Sequence, residues 1–231
     1  MKKKIVVLTG AGISAESGIR TFRDSNGLWE GHDVMEVASP QGFERNPELV
    51  LDFYNQRRKQ LLTVAPNAAH IALTLLASHY NVSIVTQNVD DLHERAGSTN
   101  VIHLHGELLK VRSTTDEKTI LDWTKDLFLG DKCPGGNQLR PHIVWFGEMV
   151  PQMENAVKEV KTADIVLIIG TSMQVYPAAG LVDYAKTGTP IYFVDPKPAI
   201  SEGDFNNLHI IPKTAVSGVP DLVNDLIKKV S

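Results

Sequence analysis

The sequence has one cysteine, no long apolar run and no marked excess of charge of either sign. One cysteine in 231 residues excludes an intramolecular disulfide and is consistent with a reducing compartment. A formal net charge of −4 argues against a broad nucleic-acid-binding surface. No segment approaches the roughly 20 apolar residues of a membrane span. The apolar run after Lys2–Lys4 stops at Thr9, too short for a signal peptide. We therefore expect a cytoplasmic protein with no membrane or nucleic-acid partner.

The length suits one α/β domain with an inserted module, and 42% hydrophobic residues suffice for a sizeable core. The apolar, β-branched run Ile5–Leu8 predicts a buried parallel strand. After it, Gly10, Ala11 and Gly12 allow a sharp turn and close approach to a ligand, and small Ala15 suits a helix packed on the strand. A helix starting here would direct free N–H groups at a pyrophosphate. This pattern predicts dinucleotide binding.

The continuation of this loop disfavours a hydride-transferring dehydrogenase. Such an enzyme would run into a second apolar strand ending in an acid for the ribose. The chain instead has Arg20, Arg23 and Asp24, followed by a polar loop up to Trp29. Beside a pyrophosphate, the two arginines suit a charged clamp better than a solvated surface.

Polar residues follow three further predicted strands, 82–86, 164–169 and 191–194. Carboxyl ends of parallel strands are where an open α/β sheet binds its ligand. The residues in these places are Gln87, Asn88 and Asp90 after the first strand, Gly170, Thr171 and Ser172 after the second, and Asp195 after the third. By spacing alone, Asn88 and Asp90 could equally cap the following helix.

A helix is predicted from the Asn46 cap and Pro47 to about Leu62, after a loop-like stretch over 30–46. Tyr54 and Arg57 lie on one face of this helix. They could simply lie along the surface, or the planar guanidinium could bind a carboxylate. A second helix is predicted from Pro66-Asn67, and a last one from about Pro220.

His103 and His105 lie two apart on a predicted strand, 101–105, so both face the same side. A strand histidine is usually a hydrogen-bonded core residue. A metal is disfavoured because no third ligand stands at a diagnostic spacing. The predicted main sheet resumes at His142 after a small excursion over 107–140.

Together these motifs resemble the sirtuins, the NAD-dependent protein lysine deacylases. The matching segments are Gly-Ala-Gly-Ile-Ser with Gly-Ile-Arg-Thr-Phe-Arg, then Gln-Asn-Val-Asp and His-Gly, and the resemblance covers nearly the whole chain. It is closest to bacterial sirtuins that accept acidic acyl groups. It implies a Rossmann-like parallel sheet with helices on both faces over about 1–30, 64–106 and 141–231. A small module would occupy about 31–63 and 107–140.

The resemblance also implies residue roles. His105 would be the general base, a role suited to a group titrating near neutrality, and Asn88 and Asp90 would hold the nicotinamide carboxamide. Acyl groups would leave lysine as O-acyl-ADP-ribose, with release of nicotinamide. The residues implied in NAD binding are Gly10, Ala11, Gly12, Ala15, Arg20, Thr21, Phe22, Arg23, Trp29, Gln87, Asn88, Asp90, Gly170, Thr171, Ser172, Asp195 and Ala215. At Asp195 many sirtuins have asparagine.

For the substrate, the resemblance implies that Arg57 and Tyr54 hold the carboxylate of a succinyl or malonyl group, with acetyl also removed. Val144, Phe146, Gly147 and Glu148 are plain sheet core or, as the resemblance implies, the segment that binds the acyl-lysine peptide as an added strand. Sirtuins typically bind a structural zinc through four cysteines. Only Cys133 remains here, and one thiolate does not hold zinc. We expect no metal, and a module packed around Leu121 and Trp123.

Two alternatives stay open: NAD-dependent ADP-ribosyl transfer to protein, and a non-catalytic module that binds NAD or acyl-lysine. The Tyr54/Arg57 pair argues for an acyl substrate, and the intact set of His105, Asn88 and Asp90 argues for catalysis. A monomer is expected, because no further hydrophobic segment remains after the fold is assigned.

Overall fold

The computed structural model describes residues 2–19, 28–29, 31–198, 201, 203 and 205–230. The strands are β1 (Lys4–Thr9), β2 (Leu28–Trp29), β3 (His32–Asp33), β4 (Asn81–Thr86), β5 (Val101–His103), β6 (Gly106–Ser113), β7 (Ile120–Asp122), β8 (Leu139–Ile143), β9 (Ile165–Ile169), β10 (Ile191–Val194) and β11 (Leu208–Ile211). The α-helices are α1 (Val34–Val37), α2 (Pro40–Arg45), α3 (Pro47–Thr63), α4 (Ala68–Leu76), α5 (Leu92–Arg95), α6 (Met153–Lys161) and α7 (Ala215–Lys228). None of the described helices is both long and apolar enough to cross a membrane.

Six strands form one parallel sheet in the order β11-β10-β9-β1-β4-β5. Side chains alternate between its faces. Along β1, Ile5 and Val7 pack with α4 and α7, whereas Val6 and Leu8 pack with α6 and the 3₁₀ segment Ala178–Tyr184. Both faces are covered, which explains why the strands are nearly continuous apolar runs. The predicted α/β, Rossmann-like fold is confirmed.

A second sheet of three antiparallel strands, β7-β6-β8, makes the centre of the small module. The prediction that the main sheet resumes at His142 is wrong, because β8 pairs with β6. The sequence of a short strand does not reveal which strand it pairs with, so the pattern could not assign β8 to a sheet. The predicted strand over 101–105 also ends early, at His103. Gly106 then turns the chain with φ +83, at a place where a Cβ atom would collide with the His142 carbonyl.

An apolar cluster packs the three-stranded part of the small module against α3, the helix of its other part. Its buried members are Leu51, Val111, Leu127, Cys133 and Leu139, with Leu121 and Trp123 partly buried against them. The module is joined to α3 by the side chain of Asn55, which bonds both the N–H and the carbonyl of Leu127 at 2.8 and 3.0 Å. In the described part of the chain, no three His, Cys, Asp or Glu side chains are arranged to hold a metal ion.

Two of the predicted helices begin where expected, and the last helix begins earlier than predicted. Asn46 accepts from the Leu49 N–H at the start of α3, and Asn67 caps α4, so both predicted helices are confirmed. The predicted loop over 30–46 instead contains α1 and α2, capped by Asp33 and Ser39. The last helix begins at Ala215 rather than Pro220. Buried residues continue through the first turn of this helix. We infer that their packing compensates for the backbone hydrogen bond that Pro220 cannot make.

Candidate active site

The carboxyl edge of the parallel sheet has a switch point between β1 and β9. From β1 the chain crosses to β4 and β5 on one side, and later adds β9, β10 and β11 on the other. Open α/β sheets bind ligands in the crevice at such a point. The loops that leave β1, β4, β9 and β10 here carry the residues predicted from sequence.

Two glycine loops cross closely at this switch point. The Gly12 N–H donates to the Gly170 carbonyl at 2.8 Å, and the Gly10 N–H donates to the Ile169 carbonyl at 3.1 Å. A Cβ atom on Gly12 would lie 2.6 Å from the Gly170 Cα, and Gly170 itself has φ +62. All three glycines are therefore required by this crossing.

The helix predicted after this loop is wrong in form. The chain makes two short 3₁₀ turns, Ala11–Ile13 and Ala15–Ser17, and Gly18 ends the second at φ +101. We infer that Ser14 breaks the helix, because its side chain turns inward to bond two residues of the next loop. The described residues of this loop therefore form no long helix whose dipole could act on a pyrophosphate. The loop is instead held by close packing of its backbone against the loop of Gly170.

Asn88, Asp90 and Ser14 form a buried hydrogen-bonded cluster. The Asn88 amide donates to the Gly10 carbonyl and to the Ser14 Oγ, both at 3.2 Å, and Ser14 donates to Asp90 Oδ2 at 2.9 Å. Asp90 Oδ1 also accepts from the Leu92 N–H that starts α5, but the N-cap residue of α5 is Asp91, whose side chain makes no capping hydrogen bond. Burial raises the pKa of the Asp90 carboxyl. Ser14 was missed from sequence, because a serine after Gly-x-Gly-x is a common turn residue.

The two histidines have different hydrogen-bond partners, and their pKa values shift in opposite directions. Nδ1 of His105 lies 3.0 Å from the Gln87 carbonyl, which only accepts, so the proton sits on Nδ1 and Nε2 keeps its lone pair. Burial lowers the pKa of His105 below its ordinary 6.5. His103 contacts the Asn88 carbonyl through Nδ1 and Glu94 through Nε2, at 3.1 and 2.8 Å. Burial opposes its charge, but the carboxylate outweighs burial and the pKa of His103 is raised. His105 therefore has a free lone pair at Nε2, whereas both ring nitrogens of His103 face hydrogen-bond acceptors.

The other predicted cofactor residues spread along the same edge. Gln87 donates to the Thr171 Oγ1 at 3.2 Å, and Asp195, which is buried, accepts from the Lys197 N–H. Ser172, Ala11 and Ala15 are half-buried. Ala215 is buried at the start of α7, where the neighbouring Val216 N–H donates to Glu16 at 3.0 Å. Hydroxyls, amides and a carboxylate along one crevice provide both hydrogen-bond donors and acceptors, which fits the binding of a dinucleotide.

Some predicted residues lie elsewhere or outside the described residues. Arg20, Thr21, Phe22 and Arg23 fall outside them. Trp29, predicted to border the cofactor, packs edge-on against Phe53 and Tyr54 of α3, with ring centroids 4.8 and 6.1 Å apart.

The predicted acyl residues lie together on α3. Tyr54 is fully buried, and its hydroxyl accepts from the Trp145 Nε1 at 2.9 Å. Burial raises the pKa of the Tyr54 phenol far above its ordinary value. Arg57 is half-buried, with its guanidinium carbon 5.2 Å from the Phe53 ring centroid.

The segment after β8 links α3 to the histidine. The Val144 N–H donates to the His105 carbonyl, and the Phe146 N–H to the Ala38 carbonyl, both at 2.9 Å. Phe146 is exposed and Gly147 has φ +91. The Glu148 carboxylate, predicted to contact substrate, is held in ion pairs with Arg112 and Arg140 at 3.1 and 2.7 Å.

Residues 10–177 match the model of the Sir2 family. An NAD-dependent protein deacylase of Helicobacter pylori is 57% identical over 99% of this chain and 100% of its own length. A Sir2 homologue solved with NAD shares 40% identity at a TM-score of 0.88, over all of this chain and 91% of that one. A Sir2 protein bound to a myristoylated histone peptide shares 32% identity at a TM-score of 0.74, over 99% of this chain and 92% of that one.

Proposed function

Because this chain belongs to the Sir2 family and is an NAD-dependent protein deacylase, we propose that it removes acidic acyl groups, succinyl and malonyl, from protein lysines. Acetyl is proposed as a poorer substrate. The observation that carries this proposal is the pairing of Tyr54 and Arg57 one turn apart on α3. A guanidinium and a phenol donor so placed suit a carboxylate better than a methyl group.

The position of this pair relative to the candidate base supports the proposal. Tyr54 bonds Trp145, and the adjacent Val144 N–H bonds the His105 carbonyl. A lysine chain that reaches His105 past Val144 would then direct its acyl end towards α3. Arg57 is half-buried, so a carboxylate bound there is partly shielded from water, which strengthens its ion pair.

We assign the remaining roles from the contacts of the carboxyl edge. NAD supplies the ADP-ribose that accepts the acyl group. The residues that would hold it are the glycine loop, Gln87, Thr171, Ser172 and Asp195. Asn88 and Asp90, oriented by Ser14, would bind the carboxamide. His105 takes up a proton at Nε2, because Nδ1 is already protonated and bonded to Gln87.

The Arg57→Met substitution tests the acyl preference. Matched succinyl- and acetyl-lysine peptides are incubated with the protein and NAD, and kcat/KM is measured by mass spectrometry. A charge-assisted hydrogen bond contributes roughly 1.5–3 kcal/mol, so we expect about a 10- to 100-fold loss on the succinyl peptide and little change on the acetyl peptide.

Arg45→Met is the matched control, because Arg45 is an exposed arginine at the end of α2. An equal loss on both peptides with Arg57→Met, or no loss on either, would return Arg57 to a structural role. Nicotinamide release without loss of either acyl group would instead favour ADP-ribosyl transfer.

A further inference from the structure

The hydrogen bond between Trp145 and Tyr54 has only one direction. An indole Nε1–H donates and never accepts, so the Tyr54 oxygen must be the acceptor across their 2.9 Å contact. The phenol carries a single proton, and this bond does not use it. Trp145 is 2% exposed and Tyr54 is 0% exposed, so water does not compete for the bond. A substrate carboxylate therefore reaches the phenol only when the side chains that cover Tyr54 move as the substrate binds.

Tyr80 shows the ordinary arrangement of a buried structural tyrosine. Its hydroxyl donates to the Leu226 carbonyl at 2.7 Å, and its proton is thereby occupied inside the fold. The partner that the structure gives the Tyr54 hydroxyl is a donor. The Tyr54 proton is therefore directed away from Trp145. Because the pKa of the phenol is raised, it keeps that proton across the physiological range.

Trp145 itself is held on several sides. The Arg140 guanidinium lies 3.3 Å from the centroid of the indole ring, and the Phe43 ring packs at 5.3 Å. The Trp145 backbone N–H donates to Glu148 Oε2 at 2.8 Å. Glu148 is in turn bound by both Arg140 and Arg112, so two guanidinium groups share one carboxylate in the cluster Arg112–Glu148–Arg140, which keeps one positive charge in excess.

We propose that Trp145 is a positioning residue for acyl selection: its indole N–H occupies the acceptor side of the Tyr54 hydroxyl and thereby reserves the phenol proton for the carboxylate of an acidic acyl group. The cluster Arg112–Glu148–Arg140 fixes the indole for this purpose. Trp145 acts through Tyr54 and touches no reacting atom. The inference rests on the proposed function and extends the recognition of the acyl group from α3 to the segment that follows β8.

Trp145→Phe tests this role, because it keeps an aromatic ring under Arg140 and removes the N–H. Without that donor the phenol loses its fixed orientation. One neutral hydrogen bond contributes about 1 kcal/mol, so we expect KM for a succinyl-lysine peptide to rise about fivefold. We expect kcat on that peptide, and kcat/KM on the acetyl peptide, to stay within about twofold, because Trp145 is assigned no part in the chemical step.

A double-mutant cycle with Tyr54→Phe separates positioning from general packing. Tyr54→Phe alone should raise the same KM, and adding Trp145→Phe should add almost nothing, since both remove one interaction. Trp123→Phe is the matched control. The Trp123 N–H donates to the Asp126 carbonyl at 3.2 Å in the small module, so its loss should not distinguish the two peptides.

Three results would overturn the inference. If the wild type prefers succinyl and Tyr54→Phe removes that preference while Trp145→Phe does not, the proposed function stands and the positioning role falls. Equal losses on both peptides with Trp145→Phe would show a purely structural role. A wild type without a succinyl preference would refute the proposed function and the inference together. Should Trp145→Phe fail to fold, Arg140→Lys replaces it, with a smaller rise in the same KM expected from the lost planar stack.

Discussion

At the scale of single residues, two histidines of the same short segment have opposite properties because of the atoms they face. His105 is half-buried and faces a carbonyl, and desolvation lowers its pKa, whereas His103 bridges a carbonyl and the Glu94 carboxylate, and its pKa is raised. Paired titratable groups with divergent pKa values mark acid and base roles. The resemblance predicts His105 as the general base, and the sequence gives the hydrogen-bond partners of neither histidine.

The pH dependence of deacylation follows from this difference. A base must be unprotonated, so activity is lost as pH falls through the pKa of His105. We expect the acid limb of kcat/KM to lie under pH 6.5, with a decline of about tenfold per pH unit below it and a plateau above it. The measurement is a pH profile with a saturating NAD concentration.

His105→Asn should abolish this activity while leaving NAD-protected thermal stability in place. An acid limb above pH 6.5 would contradict the assignment, because it would match the raised pKa of His103 instead.

At the scale of elements, the crossing of the two glycine loops is the feature that positions the site. Gly12→Ala would place a Cβ 2.6 Å from the Gly170 Cα, which is backbone and cannot rotate aside. Overpacking of this kind costs typically 1–3 kcal/mol. We expect a lower Tm together with about a tenfold higher KM for NAD, checked by thermal denaturation and steady-state kinetics.

Gly135→Ala provides the comparison, because its Cβ would meet only ordinary contacts at 3.6 Å or more. If Gly12→Ala left both Tm and the KM for NAD unchanged, the crossing would not be what positions the cofactor loop.

In helix α3, the amphipathic pattern of the sequence does not predict which arginine is buried. The predicted stripe with Tyr54 and Arg57 lies where expected, but the neighbouring Arg58 is the more buried arginine, at 1% exposure. Its Nε donates to the Leu108 carbonyl and its Nη1 to Asn55, so it joins α3 to β6. Burial lowers the pKa of Arg58 to about 10, which leaves it charged at neutral pH. From sequence alone an arginine in this place is assigned to the surface, because the Leu108 carbonyl that it binds belongs to a strand distant in sequence.

At the scale of the whole molecule, the small module coheres through packing and through its links to α3. Cys133 is 7% exposed within the cluster of Val111, Leu127 and Leu139. We expect the purified protein to carry no stoichiometric zinc, and treatment with a chelator to leave Tm and deacylase activity unchanged. Elemental analysis together with thermal denaturation checks this, and one zinc per chain would refute it.

The sequence by itself determined the features that depend on local order. Apolar β-branched runs specified five of the six parallel strands, all except β11, and cap residues specified α3 and α4. The order of motifs placed Gly10, Asn88 and Asp90 after strand ends, whereas His105 was predicted inside a strand that in fact ends at His103. These properties follow from backbone sterics and from the alternation of buried and exposed positions, which short windows of sequence already contain.

Only the tertiary structure decided which of these pieces meet. The pairing of β8 with β6, the inward turn of Ser14, the different hydrogen-bond partners of His103 and His105, and the bond from Trp145 to Tyr54 all join residues distant in sequence. Such contacts depend on burial and on which carbonyl or carboxylate lies opposite, and neither is encoded in a local pattern. The physical reason is that a side chain's chemistry is set by its neighbours in space.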